Sequence, residues 1–376
     1  MPVPTLPDEL IALVLTRDLR YLIPAARLSW RWRRIAEHQR EALRLLRYER
    51  CTRGDDFLGR LQHPNALALP RLSLVGGSKA LLVSEEGGGK VPGHLRATGR
   101  GAHANGCLAR IRQSHVLPNP RGATGVAGMA LAGDWLFVSD SGSDSLHRLD
   151  ADSIFTQDVV VSPPIGSGYG NDPGCLVAPG DLCVSNGQLF VAEAFGISVF
   201  DVGTMVFNHR WGTQESSLGR EGADSRLLRG GTGPGQFKGV GGLAEHGSEL
   251  FVADMGNHRI QVFEGSTGTF RRMFGKKGSR PGELNKPNGL AIARGRLVVS
   301  EFTGKRIQVV TREEGAPLQL ITRLSINVGL SEWTQNARPG AFCVDEEAQP
   351  GALGGRLYVT ASGPAAPLHT FQIIVR

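Results

Sequence analysis

Apolar residues along this chain fall into short runs that end in an acid, pass through polar turn residues and then resume. In LFVADMGNHRIQVF, Leu250 to Phe263, the run Leu250–Ala253 ends at Asp254, and Ile260, Val262 and Phe263 carry the apolar pattern onward. A short continuous run rich in strand formers and bounded by turn residues suits a strand covered on both faces. Asp254, Gly256 and Asn257 supply turn chemistry, because Asp and Asn side chains bond nearby backbone and Gly and Asn tolerate left-handed geometry. The pattern predicts a hairpin in which Arg259, at the mouth of the return strand, reaches Asp254 or a turn carbonyl.

The same stretch recurs. LVVSEFTGKRIQVV, Leu297 to Val310, sets Glu301 at the place of Asp254 and Arg306 at the place of Arg259. Upstream, GQFKGVGGLAEHGSELFVAD parallels GELNKPNGLAIARGRLVVSE, which adds a preceding strand near Leu243 and Leu290, and FRRMFG supplies a fourth. Weaker copies place Asp140 in WLFVSDSGSDSLHRLD, Glu193 in LFVAEAFGISVFD with a turn two residues shorter, and Glu85 in ALLVSEE. A last copy, RLYVTASGPAAPLHTFQIIVR, has Ala361 at the acid position. The anchors 85, 140, 193, 254, 301 and 361 are spaced by 55, 53, 61, 47 and 60 residues. Units of four short strands at such a period predict a six-bladed β-propeller over residues 71–376. Val83, Val138, Val191, Val252, Val299 and Val359 then occupy equivalent places on second strands.

PGQFKGVGGLAEHGSELFVADMGNHRIQVF resembles an NHL repeat, and PGELNKPNGLAIARGRLVVSEFTGKRIQVV resembles a second. Both carry the family's PG-x-F/L lead, an apolar strand, and an acid followed by R-I-Q-V. The resemblance implies a six-bladed ring in which Asp140, Glu193, Asp254, Arg259, Glu301 and Arg306 hold the repeated hairpins. The last unit lacks an outer strand, which the linker 51–70 is expected to supply.

Residues 1–50 differ in character. Pro7 with Asp8 and Glu9 suits a helix start, and Leu10, Ile11, Val14 and Leu15 share one helical face. Further helical segments are predicted around Leu28 to Ile35 and from Glu37 to Arg50. The stretch resembles an F-box: Leu6, Pro7 and Glu9 match its L-P-x-E opening, Val14 and Leu15 its apolar pair, and Leu28 to Trp32 its closing segment. Asp18 departs from the family's usual leucine. The resemblance implies that Leu6, Pro7, Val14, Leu15, Leu28 and Trp32 form the contact with the adaptor subunit of a cullin-type ubiquitin ligase. The fold expected is therefore mainly β, with a small all-α module ahead of the propeller.

Fifty-one glycines and 21 prolines fit a turn-rich β fold. Five cysteines without close pairs argue against a disulfide framework or a zinc module. The apolar run LIALVL is short and flanked by charges, and no stretch is long enough to span a bilayer. An intracellular, cytoplasmic or nuclear setting without membrane contact is expected. The net charge is +7, of which +4 lies in residues 1–60, so the propeller itself is nearly balanced. One basic run, Arg271, Arg272, Lys276, Lys277 and Arg280, is a possible anionic-ligand patch, more readily a solvated outer strand and loop.

Catalytic patterns are sparse. KPNGLA is similar to a segment of metal-dependent lactonase-type propellers and places Asn288 at the channel position, where the other inner strands carry Ala127, Gly180 and Gly241. One amide supplies too few oxygens for a calcium site. The histidines share no register. No metal, cofactor or catalytic residue is expected, and recognition through loops remains. The stretches 86–106, 162–180, 212–233 and 331–340 are the longest irregular insertions, and Trp211 and Trp333 are either binding residues or blade anchors. The expected function is a non-catalytic, substrate-recognition subunit of a cullin-type ubiquitin ligase, the propeller binding a protein target. An RNA- or protein-binding scaffold and a propeller hydrolase or lyase with diverged ligands are the alternatives.

Overall fold

The computed structural model describes residues 46–52, 64–68, 73–74, 78–85, 94–100, 108–116, 125–151, 165–166, 172–212, 230–322, 338–345, 355–362 and 368–373. The F-box-like contact residues Leu6, Pro7, Val14, Leu15, Leu28 and Trp32 lie outside them, as does Trp333. The described chain is mainly β and almost without helix, its helical content being one 3-10 turn, Met255–Asn257.

Strand β1 (Leu46–Thr52) is followed by β2 (Pro64–Ala68), β3 (Ser73–Leu74), β4 (Ser78–Glu85), β5 (His94–Arg100) and β6 (Leu108–Val116). The last five form one antiparallel sheet in the order β2-β4-β5-β6, with β3 on β4. Next, β7 (Val126–Ala132), β8 (Trp135–Asp140) and β9 (Ser145–Asp150) form a three-stranded sheet. Four four-stranded sheets then stand in a propeller-like arrangement. The first holds β10 (Leu182–Ser185), β11 (Gln188–Ala192), β12 (Ile197–Asp201) and β13 (Phe207–Trp211). The second holds β14 (Val240–His246), β15 (Glu249–Asp254), β16 (Arg259–Glu264) and β17 (Phe270–Phe274). The third holds β18 (Pro287–Ala293), β19 (Arg296–Glu301), β20 (Arg306–Val310) and β21 (Pro317–Thr322). The fourth joins β22 (Arg338–Asp345), β23 (Arg356–Ser362) and β24 (Leu368–Ile373) to β1, which pairs antiparallel with β24.

Three boundaries expected from sequence are corrected. Leu46 to Arg50 belong to strand β1 rather than to a third helix, because the free edge of β24 offers them a ladder. The strand that completes the last sheet thus comes mostly from before residue 51. Pro64 to Ala68, placed in the linker, form β2 beside β4, so the first sheet starts ahead of residue 71. The supposed insertion 86–106 contains β5, which has little apolar alternation and is fixed by pairing with both β4 and β6.

The anchor valines fall as expected. Val83, Val138, Val191, Val252, Val299 and Val359 are all fully buried on second strands. Each faces one residue of an innermost strand, respectively Leu67, Met129, Leu182, Leu243, Leu290 and Phe342. Neighbouring blades share their cores. Phe190, Ile197 and Val199 pack with Leu243, Leu250, Val252 and Phe263. Phe251, Ile260 and Val262 pack with Leu290, Leu297 and Val299. Burial of both sheet faces explains why these strands read as continuous apolar runs.

Innermost strands approach closely. A Cβ on Gly242 would stand 2.8 Å from the Leu290 nitrogen. The corresponding place before Leu182 holds Asp181, whose Oδ2 accepts the Leu243 N–H at 2.8 Å and so ties β10 to β14. Burial pushes the Asp181 carboxyl up to about 6, with hydrogen bonds from the Leu243 and Leu182 amides opposing the shift. Folding therefore favours the protonated acid. The cost of ionising it is absent below the unfolded value near 3.8, grows with rising pH, and is complete above about 6. Asp181→Asn retains an acceptor without charge. It should raise stability at pH 7.5 by about 1–2 kcal/mol, discounted from the full shift because the carboxyl is partly open to solvent. At pH 4 it should change little. Denaturant titration at both pH values checks this, and equal effects at the two would mean that ionisation is not the cause.

Candidate binding face

The residues of the repeated motif converge at one end of their sheets. Asp254 pairs in register with Arg259 across the 255–258 turn, and His258 closes that turn in left-handed geometry at φ 58°. Asp254 Oδ1 accepts the Lys238 amide at 2.9 Å, and its Oδ2 accepts Arg259 Nε at 2.7 Å and Gln261 Nε2 at 3.0 Å. Asn257 Nδ2 adds bonds of 3.0 and 2.8 Å to the two oxygens. The Arg259 guanidinium also donates to the carbonyls of Thr232, Gly233 and Gln236 at 2.8, 2.8 and 3.0 Å. Gln261 donates to the Gln236 carbonyl at 2.7 Å and accepts the Gly235 N–H at 2.9 Å. The acid is fully buried, and its charge is matched by a guanidinium that is itself buried. Acid, arginine and glutamine together knot the PG-x-F lead onto its blade.

The next blade repeats the cluster. Glu301 Oε2 accepts the Asn285 amide at 2.8 Å, and its Oε1 accepts Arg306 Nε and Gln308 Nε2, both at 2.6 Å. Arg306 also donates to the carbonyls of Ser279 and Glu283, and Gln308 to that of Glu283.

A third lead escaped the sequence reading. Pro173-Gly174-Cys175-Leu176 precedes Leu182 by the same interval that separates Phe237 from Leu243 and Leu284 from Leu290. Leu176, Phe237 and Leu284 are all buried between sheets. Glu193 Oε2 accepts the Val177 amide at 2.7 Å, as Asp254 accepts that of Lys238. No arginine stands at the start of β12. Arg210, on the outer strand β13, reaches in instead and donates to Glu193 Oε1 at 3.0 Å and to the Cys175 carbonyl. Cys175 occupies the place of Gln236 and Glu283, so an arginine from a different strand clasps the equivalent carbonyl. Burial raises the Glu193 carboxyl above its ordinary value although Arg210 and three hydrogen bonds oppose the shift.

Asp140 is served differently. Its Oδ1 accepts the Gly125 and Gly142 amides at 2.8 and 2.9 Å, and its Oδ2 accepts the Ser143 hydroxyl at 2.8 Å. Buried His147 stands where the other blades have Gln261 and Gln308, with Nε2 3.8 Å from Asp140. That is an electrostatic neighbour rather than a hydrogen bond.

The basic run does not act as one patch. Arg271 and Arg272 lie on outer strand β17, where Arg271 pairs with Glu249 and Glu264, and Arg272 pairs with Glu249 and donates to the carbonyls of Glu313 and Arg312. Lys276 lies beyond that strand and pairs with Glu283 at 3.7 Å. Lys277 and Arg280 lie on the loop leading to β18, and both are exposed. The run is split because the chain turns between Phe274 and Lys276, and acids distant in sequence neutralise its first half. Trp211 is a blade anchor: its ring lies 5.9 Å from Phe190 and 6.3 Å from Phe263.

The motif-bearing end also carries cations that the sequence reading did not single out. Lys238 and Lys286 are exposed just ahead of β14 and β18. The Lys286 amide donates to His258 Nδ1 at 3.0 Å. Partial burial, then Lys277 and Lys286, hold the His258 imidazole below its ordinary value. Among the described residues, no group of three or more His, Cys, Asp or Glu is placed to hold a metal ion, and no helix is long and apolar enough to cross a membrane. Asn288 is half-buried at the start of β18, against Gly241.

No family model matches the chain. Among curated proteins, it is 40% identical over 70 residues to Protein brain tumor of Drosophila melanogaster. That alignment covers 18% of this chain and 7% of the relative, so the chain spans only a small part of that protein. Among solved structures, it is similar to Sqt1 of Saccharomyces cerevisiae, with a TM-score of 0.43 and 8% identity over 79% of this chain and 69% of that one. It is also similar to a protein described as an oxidoreductase (glucose dehydrogenase) of Thermus thermophilus, with a TM-score of 0.48 and 20% identity over 87% and 99% of the two chains.

Proposed function

We propose that the chain is a non-catalytic recognition subunit. In this reading a six-bladed NHL-type propeller offers its motif-bearing face to a protein target. The F-box-like stretch Leu6–Trp32 docks on the adaptor of a cullin-type ubiquitin ligase. The ring is supported by the neighbours of the innermost strands: β7 lies beside β10, and β2 lies beside both β7 and β22. The observation that carries the recognition reading is the division of charge at that face. Buried carboxylates are matched internally by arginines, while lysines at the surface are left for a ligand.

The test is capture of the ligase adaptor by the full chain. Leu6→Ala with Pro7→Ala should abolish capture and leave the thermal midpoint of the propeller unchanged. A deletion of residues 1–44 should do the same. A deletion through residue 52 removes β1 and should also lower the midpoint, since it strips the outer strand from the last sheet. Failure of the intact chain to capture any adaptor would leave the N-terminal stretch without a ubiquitin role. A nucleic-acid scaffold is the second reading, favoured by the same cationic surface. It requires binding whose log K falls by roughly 0.7 per log unit of salt for each phosphate contacted.

A further inference from the structure

We infer that the target is held by an acidic peptide segment lying along a cationic arc formed by Lys238, Lys277, Lys286 and Arg338. This rests on the recognition reading above and names the chemistry of its ligand. The arc follows the starts of three consecutive innermost strands. Lys238 precedes β14, Lys286 precedes β18, and Arg338 is the first residue of β22. All three are exposed. Backbone bonds fix their order. Lys238 O accepts the Gly256 amide from the turn that ends in His258, His258 receives the Lys286 amide, and Lys286 O accepts the Phe302 amide. The Arg338 guanidinium then lies over the Phe302 ring, 4.4 Å from its centroid.

Three observations give the arc its ligand. First, its charge is not cancelled from below. Asp254 and Glu301 are fully buried and already ion-paired to Arg259 and Arg306, and Glu283 pairs with Lys276. Secondly, Lys286 holds φ at 53°, where the neighbouring blade uses Gly239 at 83°. Ala178 holds the same place at φ 47° in the blade before that, so the turn itself does not select the lysine. Thirdly, the part of the same face made by the β7–β9 and β10–β13 sheets carries no exposed cation among the described residues. Its turn and lead place Asp144 and Asp172 there instead. A ligand is therefore oriented as well as attracted. Single-stranded RNA would need open rings on which bases stack. The ring at the arc, Phe302, is half-buried beneath Arg338, and this favours carboxylates over bases.

The experiment uses the full chain and two fluorescent probes, a twelve-residue peptide of alternating glutamate and glycine and a twelve-nucleotide oligouridylate. Anisotropy should show peptide binding that weakens as salt rises, because the arc is exposed to screening ions. Lys238→Ser, Lys286→Ser and Arg338→Ser together should weaken it at least tenfold, with the melting curve preserved. Arg271→Ser with Arg272→Ser should leave it within twofold. Absence of peptide binding, equal binding by the triple variant, or tighter binding of the oligouridylate would each overturn the inference. Adaptor capture by the same proteins separates the two readings. The triple variant should still capture the adaptor. Absence of peptide binding by the unsubstituted chain with its capture intact overturns the arc alone, and absence of capture by that chain with its peptide binding intact overturns the ligase reading alone.

Discussion

Asp254→Ala should destabilise the protein by about 3–5 kcal/mol, the range for removing one partner of a buried ion pair. A turn acid of ordinary kind would cost only about 0.5–2 kcal/mol. The larger value follows from what the carboxylate holds. Its loss strands the Arg259 guanidinium in a buried site, frees the Lys238 amide, and removes an acceptor from Asn257 and Gln261. The lead that Arg259 and Gln261 clasp should loosen with it. Chemical denaturation of Asp254→Ala, Arg259→Leu and the double variant gives the coupling between them. The double variant should be less destabilised than the sum of the singles, because it leaves no unpaired buried charge. A loss below about 1 kcal/mol for Asp254→Ala would show the cluster to be peripheral to stability. For comparison, Arg271→Ala, on a partly exposed pair, should stay within about 1 kcal/mol of the parent.

Phe237→Ala should cost about 3–5 kcal/mol, as expected for truncating a fully buried aromatic ring. Phe237 is fully buried where two blades meet, with its ring centroid 5.5 Å from that of Phe263. Gly212, at φ 91°, lies so close that a Cβ there would fall 2.3 Å from the ring. The wall on that side is backbone and cannot collapse into the space left behind, so the cavity should persist. Leu284 meets Gly275, at φ 90°, in the same way. Leu284→Ala should accordingly lose about 2–5 kcal/mol. A thermal melt of each variant checks the pair, and a midpoint unchanged for both would mean that the lead does not seal the junction.

The two strongest repeats were legible because their determinants are local. The acid, arginine and glutamine of Asp254 to Gln261 fall within one hairpin, and the spacing of residues alone brings them together. The third lead was less legible. Its glutamine position holds Ser198, and its arginine comes from β13, so the motif is intact in space and broken in sequence. The run Arg271 to Arg280, read more readily as a solvated outer strand and loop than as a patch, shows the opposite relation. Neighbours in sequence were separated by a turn, and the neutralising acids Glu249 and Glu264 sit on other strands of the sheet. Strands β1, β2 and β5 carry weak local signals and owe their state to the edges beside them. The cationic arc has no sequence motif at all. Lys286 and Arg338 share a place four residues before the partner of an anchor valine, Lys238 stands one residue earlier in its own blade, and these places are defined by tertiary structure.

The pairing of β1 with β24 also sets an order in time. Leu46 meets Ile373 across a loop of about three hundred residues, among the longest closures the described chain contains. The hairpins of the middle blades need only short loops and can form early, whereas this ladder must wait until the rest of the chain has been assembled around it. Until then the edge of β24 lies open to other strands. The slowest folding phase should therefore report on the last sheet, and refolding at high protein concentration should lose yield through that edge first.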